Sequence, residues 1–413
     1  MRPTNNPHSS PMRLGFPHFE PLQKGARETR IIEFVEEVLL HAVAEGASDI
    51  HFEPYEAAFR IRYRVDGRLY ALPSLAFELT RSILSRIKVL AELDIAEHRL
   101  PQDGRISFKA GEREVDVRVA TLPTRFGESI VLRILDKERA CLDLDRLGMP
   151  DTLCAQVRAL MKGRNGIFIV TGPTGSGKTT TLYSALREID LSRNKVITVE
   201  DPVEYTVKGL LQIAVDSRIG LTFARVLRAL LRHDPDTIMI GEIRDLETAH
   251  IAVQAALTGH LVLSTLHTQN APSAVVRLLN MGVQPFLISA SLRAVLAQRL
   301  VRRICPSCST EQLPKPETLD CLGWDAKGAA FSGGSFHYGT GCDACRRTGF
   351  SGRRGLFEMM MLSDPLRALI NRRPSVAALR QKALDEGLCT LREDGLRQVR
   401  DGVTTLEEVL EST

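Results

Sequence analysis

The chain has 413 residues, of which 44% are hydrophobic and 25% are charged, and its net charge is +4. This composition is typical of a globular protein with two or three domains. The small net charge argues against a protein that mainly coats nucleic acid, and the apolar runs are far shorter than the ~20 residues that cross a bilayer. Residues 1–29 contain five prolines and lack the apolar core of a signal peptide, so we expect a flexible arm and a cytoplasmic protein.

Residues 30–140 have the pattern of a small α+β domain. Apolar residues recur at helical spacing over 31–45, and a second helix is predicted over 77–92. Strict alternation over 59–65, followed by an Asp-Gly turn, predicts a β-hairpin with an arginine-rich face. Alternation at 115–119 and 130–135 predicts further strands of the same domain.

Residues 150–302 have a different pattern, in which short aliphatic strands alternate with longer helical segments. Strands buried on both faces of a parallel sheet have such continuous apolar sequences, which predicts an α/β core. A Cys-, Gly- and Pro-rich stretch over 303–355 and a region of small helices over 356–413 follow. The predicted core strands lie at 167–171, 196–199, 238–240 and 261–265.

The segment GPTGSGKT at 172–179 matches the phosphate-loop pattern GxxxxGK[ST] in full. It follows a predicted strand and opens a predicted helix, which a chance glycine-rich turn would not do. Backbone N–H groups and the helix N-terminus can surround phosphates, while Lys178 reaches the β- and γ-phosphates and the Thr179 hydroxyl ligates Mg²⁺. The predicted nucleotide-binding residues are Gly172, Pro173, Thr174, Gly175, Ser176, Gly177, Lys178, Thr179 and Thr180.

Two carboxylate clusters end the next predicted strands. Glu200 and Glu204 belong to the first cluster, at the end of a parallel strand, which is where open α/β sheets bind ligands. Glu242 belongs to the second and follows Gly241, which stands where most phosphate-loop enzymes have an Asp that supports Mg²⁺. The first cluster could instead be a helix cap or a solvated turn. If the site is catalytic, Gly241 implies a metal held through water or by a carboxylate of the other cluster.

Histidines stand at both ends of the strand at 261–265. Lone histidines are usually structural, and His260 and His267 are separated by the length of this strand. We therefore expect at most one of them to contact phosphate directly.

Two CxxC pairs, Cys305 with Cys308 and Cys342 with Cys345, are separated by 33 residues. Four thiolates can hold zinc in a closed tetrahedral site that leaves no position for catalysis. The long spacer suggests an inserted subdomain. Redox activity is the alternative for one CxxC pair, but two pairs favour zinc.

The segments GPTGSGKTTTLY, VITVEDPVEY, DPDTIMIGEIRDLETA and TGHLVLSTLHT, in this order, resemble the GspE/PilB family of type II secretion and type IV pilus ATPases. The resemblance extends to ASDIHFEP, YRVDGRLY and PQDGRISF upstream and to TGFSGRRGLFEMM downstream. It implies a RecA-like core preceded by a PAS-like domain, with ATP, Mg²⁺ and Zn²⁺ as cofactors. It also implies a homo-hexamer, peripheral on the cytoplasmic face of the inner membrane, that binds a platform protein and drives pilus or pseudopilus assembly.

The resemblance also assigns roles to individual residues. Glu200 or Glu204, together with Glu242, would position the attacking water, and the two histidines would support the site. Arg105 in PQDGR and Arg118 in VDVRVAT look like the family arginines that swing in from the preceding domain. A guanidinium there would stabilise charge that develops on the phosphate. For the arginines at 60, 62 and 64 we favour a solvated strand face.

Four further interpretations concern the kind of machine and the alternatives to it. Retraction ATPases of type IV pili lack the cysteine pairs, so an assembly or secretion ATPase is favoured. Many relatives begin with a sizeable docking domain, for which the arm at 1–29 leaves almost no room. A nucleic-acid translocase would need a basic stripe with aromatics, whereas the chain has one Trp and six Tyr, so no nucleic-acid partner is expected. A nucleotide-gated scaffold with negligible turnover also remains open because of Gly241.

Overall fold

The computed structural model describes Leu22 and residues 27–136, 143–311 and 336–413. The chain forms two compact units. The first consists of Met1–Arg139 with Gly341–Thr348, and the second of Ala140–Thr340 with Gly349–Thr413. Most of the arm predicted at 1–29 lies outside the described residues, and its last two residues belong to the first helix, which begins at Glu28.

The first unit is built on a six-stranded antiparallel sheet in the order β3-β2-β1-β6-β5-β4. It has the α+β composition expected from the alternating segments. Its elements are α1 (Glu28–Glu45), β1 (Asp49–Pro54), β2 (Phe59–Val65), β3 (Arg68–Ala71), α2 (Thr80–Leu90), β4 (Gln102–Ala110), β5 (Arg113–Thr124) and β6 (Gly127–Asp136).

Alternation along β2 places one face of this strand in the core. Phe59, Ile61, Tyr63 and Val65 are buried, whereas the arginines between them are partly or largely exposed. The buried Tyr63 hydroxyl donates a hydrogen bond to the Val38 carbonyl of α1, 2.8 Å away. The sheet and the first helix are therefore joined by a satisfied polar contact within an apolar core.

The second unit contains a seven-stranded sheet in the order β15-β12-β7-β11-β10-β8-β9, numbered in chain order, in which β15 is Phe350–Met361. All neighbouring strands are parallel except β15, which runs antiparallel to β12. Its first elements are α3 (Asp151–Met161), β7 (Gly166–Thr171), α4 (Lys178–Leu186), β8 (Val196–Glu200), β9 (Leu211–Ala214), α5 (Phe223–Leu230), β10 (Thr237–Ile240), α6 (Leu246–Leu257), β11 (Leu261–Leu266), α7 (Ala271–Asn280), α8 (Pro285–Ser291) and β12 (Leu292–Ile304).

The four central strands β7, β8, β10 and β11 are buried along their whole length. Helices cover both faces of the sheet, which explains why these strands are uniformly apolar rather than alternating. Because the four strands are parallel, their carboxyl ends lie at one edge of the sheet. This edge receives the glycine-rich loop, both acidic clusters and His267.

The remaining elements correct one sequence-based expectation. They are β13 (Ser309–Glu311), β14 (His337–Gly339), β15 (Phe350–Met361), α9 (Asp364–Ile370), α10 (Val376–Asp385), α11 (Leu391–Arg400) and α12 (Leu406–Ser412). Residues 356–361, which we had predicted as part of the C-terminal helical region, belong to β15 and complete the main sheet. Most of the predicted insertion between the cysteine pairs, residues 312–335, lies outside the described residues. No helix in the described ranges is long and apolar enough to cross a membrane.

Candidate nucleotide site

The glycine-rich loop connects β7 to α4 and is shaped by close contact with β12. A Cβ atom on Gly172 would lie 2.4 Å from the backbone oxygen of Gln298, so only glycine fits there without displacing the strand. Gly177 has φ +84°, in the left-handed region that favours glycine, and it leads directly into α4. The loop is therefore held in a fixed shape at both of its ends.

Two polar side chains of the loop, those of Lys178 and Ser176, make no hydrogen bond to described residues outside the loop. Lys178 is 8% exposed, and its Nζ donates to the carbonyl oxygens of Gly172 and Pro173 at 3.0 and 2.9 Å. Burial lowers the pKa of Lys178, while Glu242 and Glu204 act in the opposite direction. The Ser176 Oγ is buried and has no hydrogen-bond partner among the described residues. A buried cation next to an unsatisfied hydroxyl fits the binding of a phosphate group.

A cleft of about 360 Å³ opens at the carboxyl edge of the parallel sheet. Lys178, Thr179 and Thr180 line it from the loop and α4. The acidic residues come from the ends of the neighbouring strands, so the structure brings together groups that are far apart in sequence. Besides the loop, the cleft is lined by Glu200, Asp201, Glu204, Glu242, His267 and Arg353.

Glu242 is the carboxylate of the cleft with the clearest electrostatic setting. His267 Nε2 lies 3.1 Å from Glu242 Oε2, and Arg244 forms an ion pair with the other carboxylate oxygen. Burial alone would raise the pKa of Glu242, but the hydrogen bond and charge of Arg244, together with His267, lower it below its ordinary value. Arg244 also lies 3.8 Å from Asp201 Oδ2, so it bridges the two acidic clusters.

Glu200 has a different environment although it also lines the cleft. Its side chain is 2% exposed, and both carboxylate oxygens accept hydrogen bonds inside the protein. Tyr183 donates to one oxygen, and Thr198 donates to the other at 2.5 Å. Gln212 Nε2 lies 3.3 Å from that second oxygen. Burial, followed by the hydrogen bond and charge of Glu200, raises the pKa of Tyr183 well above its ordinary value, so its hydroxyl stays protonated and donates.

The two histidines lie at opposite ends of β11. His267 follows the strand at the cleft, whereas His260 precedes it, next to the start of β7. His260 Nδ1 lies 2.8 Å from the Ala255 carbonyl at the end of α6. The structure does not bring His260 into the cleft, because a parallel strand of six residues spans about 20 Å. This agrees with the expectation that only one histidine can contact phosphate.

In the first unit, Arg105 and Arg118 are directly opposite each other on β4 and β5. Arg118 is in turn opposite Arg133 on β6, and Arg133 is opposite Asp49 on β1. Arg133 Nε donates to Asp49 Oδ1 at 3.0 Å. The predicted pair is thus part of a row of three arginines across one face of the sheet. Arg133 is not among the predicted residues, because its alignment with the other two depends on strand register, although the alternation at 130–135 predicts its strand.

Arg353 is a further residue of the cleft that the sequence did not reveal. It lies on β15, which pairs with β12, and Arg302 is its partner in the ladder. The guanidinium reaches the cleft that the phosphate loop lines. It lies in the segment TGFSGRRGLFEMM, but its place in the cleft depends on the return of the chain to the main sheet after the cysteine-rich stretch.

The four predicted metal-ligating cysteines form a cluster, with all Sγ atoms within 4.8 Å of one another. Cys305 and Cys345 are buried, and Cys308 and Cys342 are partly buried. The Cys342 and Cys345 sulfurs are 3.8 Å apart. Four sulfurs about 2.3 Å from a central Zn²⁺ would have nearly this separation in a tetrahedron. The cluster therefore fits a structural zinc ion.

Comparison with known proteins agrees with this geometry. The family model described as "Type II/IV secretion system protein" matches residues 24–411. The type II secretion system protein HxcR of Pseudomonas aeruginosa is 50% identical over 93% of this chain and 77% of its own length. The type IV pilus assembly ATPase PilB of Myxococcus xanthus is 46% identical over 96% of this chain and 70% of its own length.

A solved structure of the pilus retraction motor PilT with bound ADP has the same fold. It superimposes with a TM-score of 0.61 at 27% identity, over 91% of this chain and 96% of PilT. The mixed α/β fold with a parallel sheet, predicted from the sequence, is thereby confirmed. The same comparisons confirm the predicted enzyme class and role, an ATPase of type II secretion or pilus assembly. The chain thus belongs to the type II/IV secretion system protein family.

Proposed function

We propose that the cleft binds ATP with Mg²⁺ and hydrolyses it to ADP and phosphate, and that Glu242 activates the attacking water. The observation that carries this assignment is that Lys178, Glu242 and His267 line one cleft, beside the loop that holds the unsatisfied Ser176 hydroxyl. The lowered pKa keeps Glu242 ionised at neutral pH, as a general base requires. Glu204 lines the same cleft and acts on the charge of Lys178, so it is the second candidate.

The metal and the basic residues have distinct tasks in this proposal. Thr179 would hold Mg²⁺, which would neutralise charge on the β- and γ-phosphates. Gly241 leaves little room for a carboxylate at its own position, since a Cβ there would lie 3.3 Å from the Val199 carbonyl. The nearby glutamates therefore replace the missing Asp, directly or through water. Arg105 and Arg118 would stabilise charge that develops during transfer.

We further propose that the enzyme works as a homo-hexamer on the cytoplasmic side of the inner membrane. Its partner would be the cytoplasmic part of the platform protein of a secretion or pilus machine. The names of the relatives, a type II secretion system protein and a pilus assembly ATPase, support this choice. Sedimentation with and without ATP tests the assembly, and capture with the purified cytoplasmic part of the platform protein tests the partner.

Phosphate release tests the catalytic proposal most directly. We expect turnover in the wild type, little or none in Lys178→Ala, and tight nucleotide binding without turnover in Glu242→Gln. Glu188→Gln, an exposed carboxylate paired with Arg158, is the matched control and should behave as wild type. Equal rates in the wild type, Lys178→Ala and Glu242→Gln would instead point to a nucleotide-gated scaffold.

The cysteine cluster is proposed to hold one structural zinc ion. Metal analysis of the purified chain should find one zinc per chain, and Cys305→Ser should lose it. Cys389→Ser, at an exposed cysteine outside the cluster, is the control and should retain zinc. Absence of stoichiometric zinc from the wild type would contradict the assignment.

A further inference from the structure

We propose that Tyr183, Glu200 and Gln212 form a hydrogen-bonded network that positions the acidic turn at 201–204. In this proposal Glu200 is a positioning residue and not the general base. This inference rests on the proposed ATP hydrolysis in the same cleft. It assigns different tasks to the acidic residues that the sequence presents together, and it adds Tyr183 and Gln212, to which the sequence had assigned no role.

This network begins on the helix that follows the phosphate loop. Tyr183 lies five residues after Lys178 in α4 and is fully buried. Its hydroxyl donates to Glu200 at the end of β8. The helix that carries the phosphate-binding lysine is thereby connected to the strand that leads into the acidic turn.

Gln212, on the edge strand β9, holds the far end of the same turn. Its side-chain Nε2 donates to the Tyr205 carbonyl at 2.9 Å, and its Oε1 accepts from the Val207 N–H at 2.7 Å. The same amide lies 3.3 Å from Glu200. Residues 201–204 therefore lie between Glu200 and Tyr205, and both of these flanking residues are hydrogen-bonded to Gln212.

The burial of Glu200 explains why it is unsuited to act as a base. A general base must lie within reach of the attacking water. Glu200 is 2% exposed, and its oxygens accept bonds from Tyr183 and Thr198 inside the protein. The Glu242 side chain is 16% exposed. Glu242 and Glu204, in contrast, are the carboxylates that act on the charge of Lys178. The acidic segment therefore contains a buried positioning residue, Glu200, and a candidate catalytic residue, Glu204.

Kinetics of three variants test this division of tasks. In Tyr183→Phe, the ring remains and only the hydroxyl is lost, so we expect kcat to fall about 10- to 100-fold with KM for ATP changed less than about twofold. Glu200→Gln should have a loss of similar size. The double variant should be no slower than either single variant within about twofold, because both changes break one shared contact.

The controls separate positioning from catalysis and from folding. Tyr338→Phe removes a similar bond, from a tyrosine hydroxyl to Glu407 at 3.0 Å, outside the cleft, and should leave kcat unchanged. The acidic limb of the pH–rate profile should stay at the wild-type pH in Tyr183→Phe and Glu200→Gln. Thermal unfolding identifies a variant that fails to fold. In that case Thr198→Val, which removes the other donor to Glu200, takes its place and should lower kcat at unchanged KM.

Three outcomes would overturn the proposal. The first is wild-type kcat in Tyr183→Phe, and the second is independent, multiplicative losses in the double variant. The third is a loss of about 10²- to 10⁴-fold in Glu200→Gln alone with disappearance of the acidic limb, as removal of a general base produces. A wild type that hydrolyses no more ATP than Lys178→Ala would contradict the proposed function itself, which is a separate result.

Discussion

The two sheets of this chain present their charged groups in different ways. In the parallel sheet of the second unit, the groups stand at the ends of strands and converge on one cleft. In the antiparallel sheet of the first unit, Arg105, Arg118 and Arg133 form a row across the middle of three strands. The first arrangement follows from strand direction and can be predicted from motifs. The second follows from register, so the motifs marked Arg105 and Arg118 but neither Arg133 nor the alignment of the three. Variants in both sheets test whether this difference also appears in turnover, stability and pH dependence.

The largest expected effect is at the strand end that carries Glu242. Glu242→Gln should lower kcat about 10²- to 10⁴-fold, because a neutral amide cannot accept the proton of water. Nucleotide binding, measured by titration with a fluorescent ATP analogue, should be retained. Wild-type turnover in Glu242→Gln would show that Glu242 is not the general base, and Glu204 would then be the remaining candidate.

A stability effect of comparable size is expected in the core of the first unit. Lys88 is 1% exposed, its Nζ lies 2.6 Å from Glu128 Oε1, and it also donates to the Glu97 carbonyl. Lys88→Met leaves the buried Glu128 without this cation, which should cost about 3–5 kcal/mol of unfolding free energy. Calorimetry and hydrogen exchange of α2 would measure the loss.

The double variant Lys88→Met/Glu128→Leu provides the control for this pair. It removes both charges, so it should recover much of the lost stability. Nucleotide binding in the second unit should persist in both variants if the two units fold independently. Loss of ATP binding in Lys88→Met would show that the second unit does not fold independently of the first.

A smaller effect is expected for the arginine row. Arg118→Ala and Arg105→Ala should slow hydrolysis about 10- to 100-fold while nucleotide affinity changes little, because a guanidinium there would act on charge that develops during the reaction. Arg60→Ala, on the exposed face of β2 beside Tyr55, is the control and should have no effect. Unchanged turnover in both test variants would remove these arginines from the mechanism.

The smallest effect is a shift in pH dependence. Arg244 lowers the pKa of Glu242, so Arg244→Gln should raise it towards its ordinary value. A carboxylate base is active above its pKa, so activity should be lost at a higher pH in the variant than in the wild type as the pH falls. Turnover near pH 7 should change least. A pH–rate profile of kcat/KM measures the shift, and an unmoved acidic limb would assign it to another group.

Much of the second unit could be predicted from the sequence because its signals are local. The phosphate loop, its strand and its helix are contiguous, and the buried strands are uniformly apolar. The four cysteines were also found correctly as one set, because thiolates at CxxC spacing have few other uses.

The positions that could not be predicted depend on contacts between distant segments. Arg353 reaches the cleft only because β15 pairs with β12, and residues 356–361 looked helical without that partner. Tyr183 and Gln212 are ordinary core and edge positions until α4, β8 and β9 are packed together. Ser176 was predicted to bind nucleotide, but its unsatisfied buried hydroxyl became visible only with the surrounding atoms in place.

Strand β12 connects the two proposed ligand sites of this chain. It supports the phosphate loop at Gln298 and ends at Ile304, one residue before the first cysteine of the cluster. The eight residues from 298 to 305 make seven steps, which span roughly 23 Å in an extended strand. β15 pairs with this stretch up to Ile304, with a register shift between Arg302 and Ile304, so hydrogen bonds between the two strands hold its length. The spacing from the glycine-rich loop to the cysteine cluster is thus set by backbone hydrogen bonds, and removal of the metal should leave it unchanged.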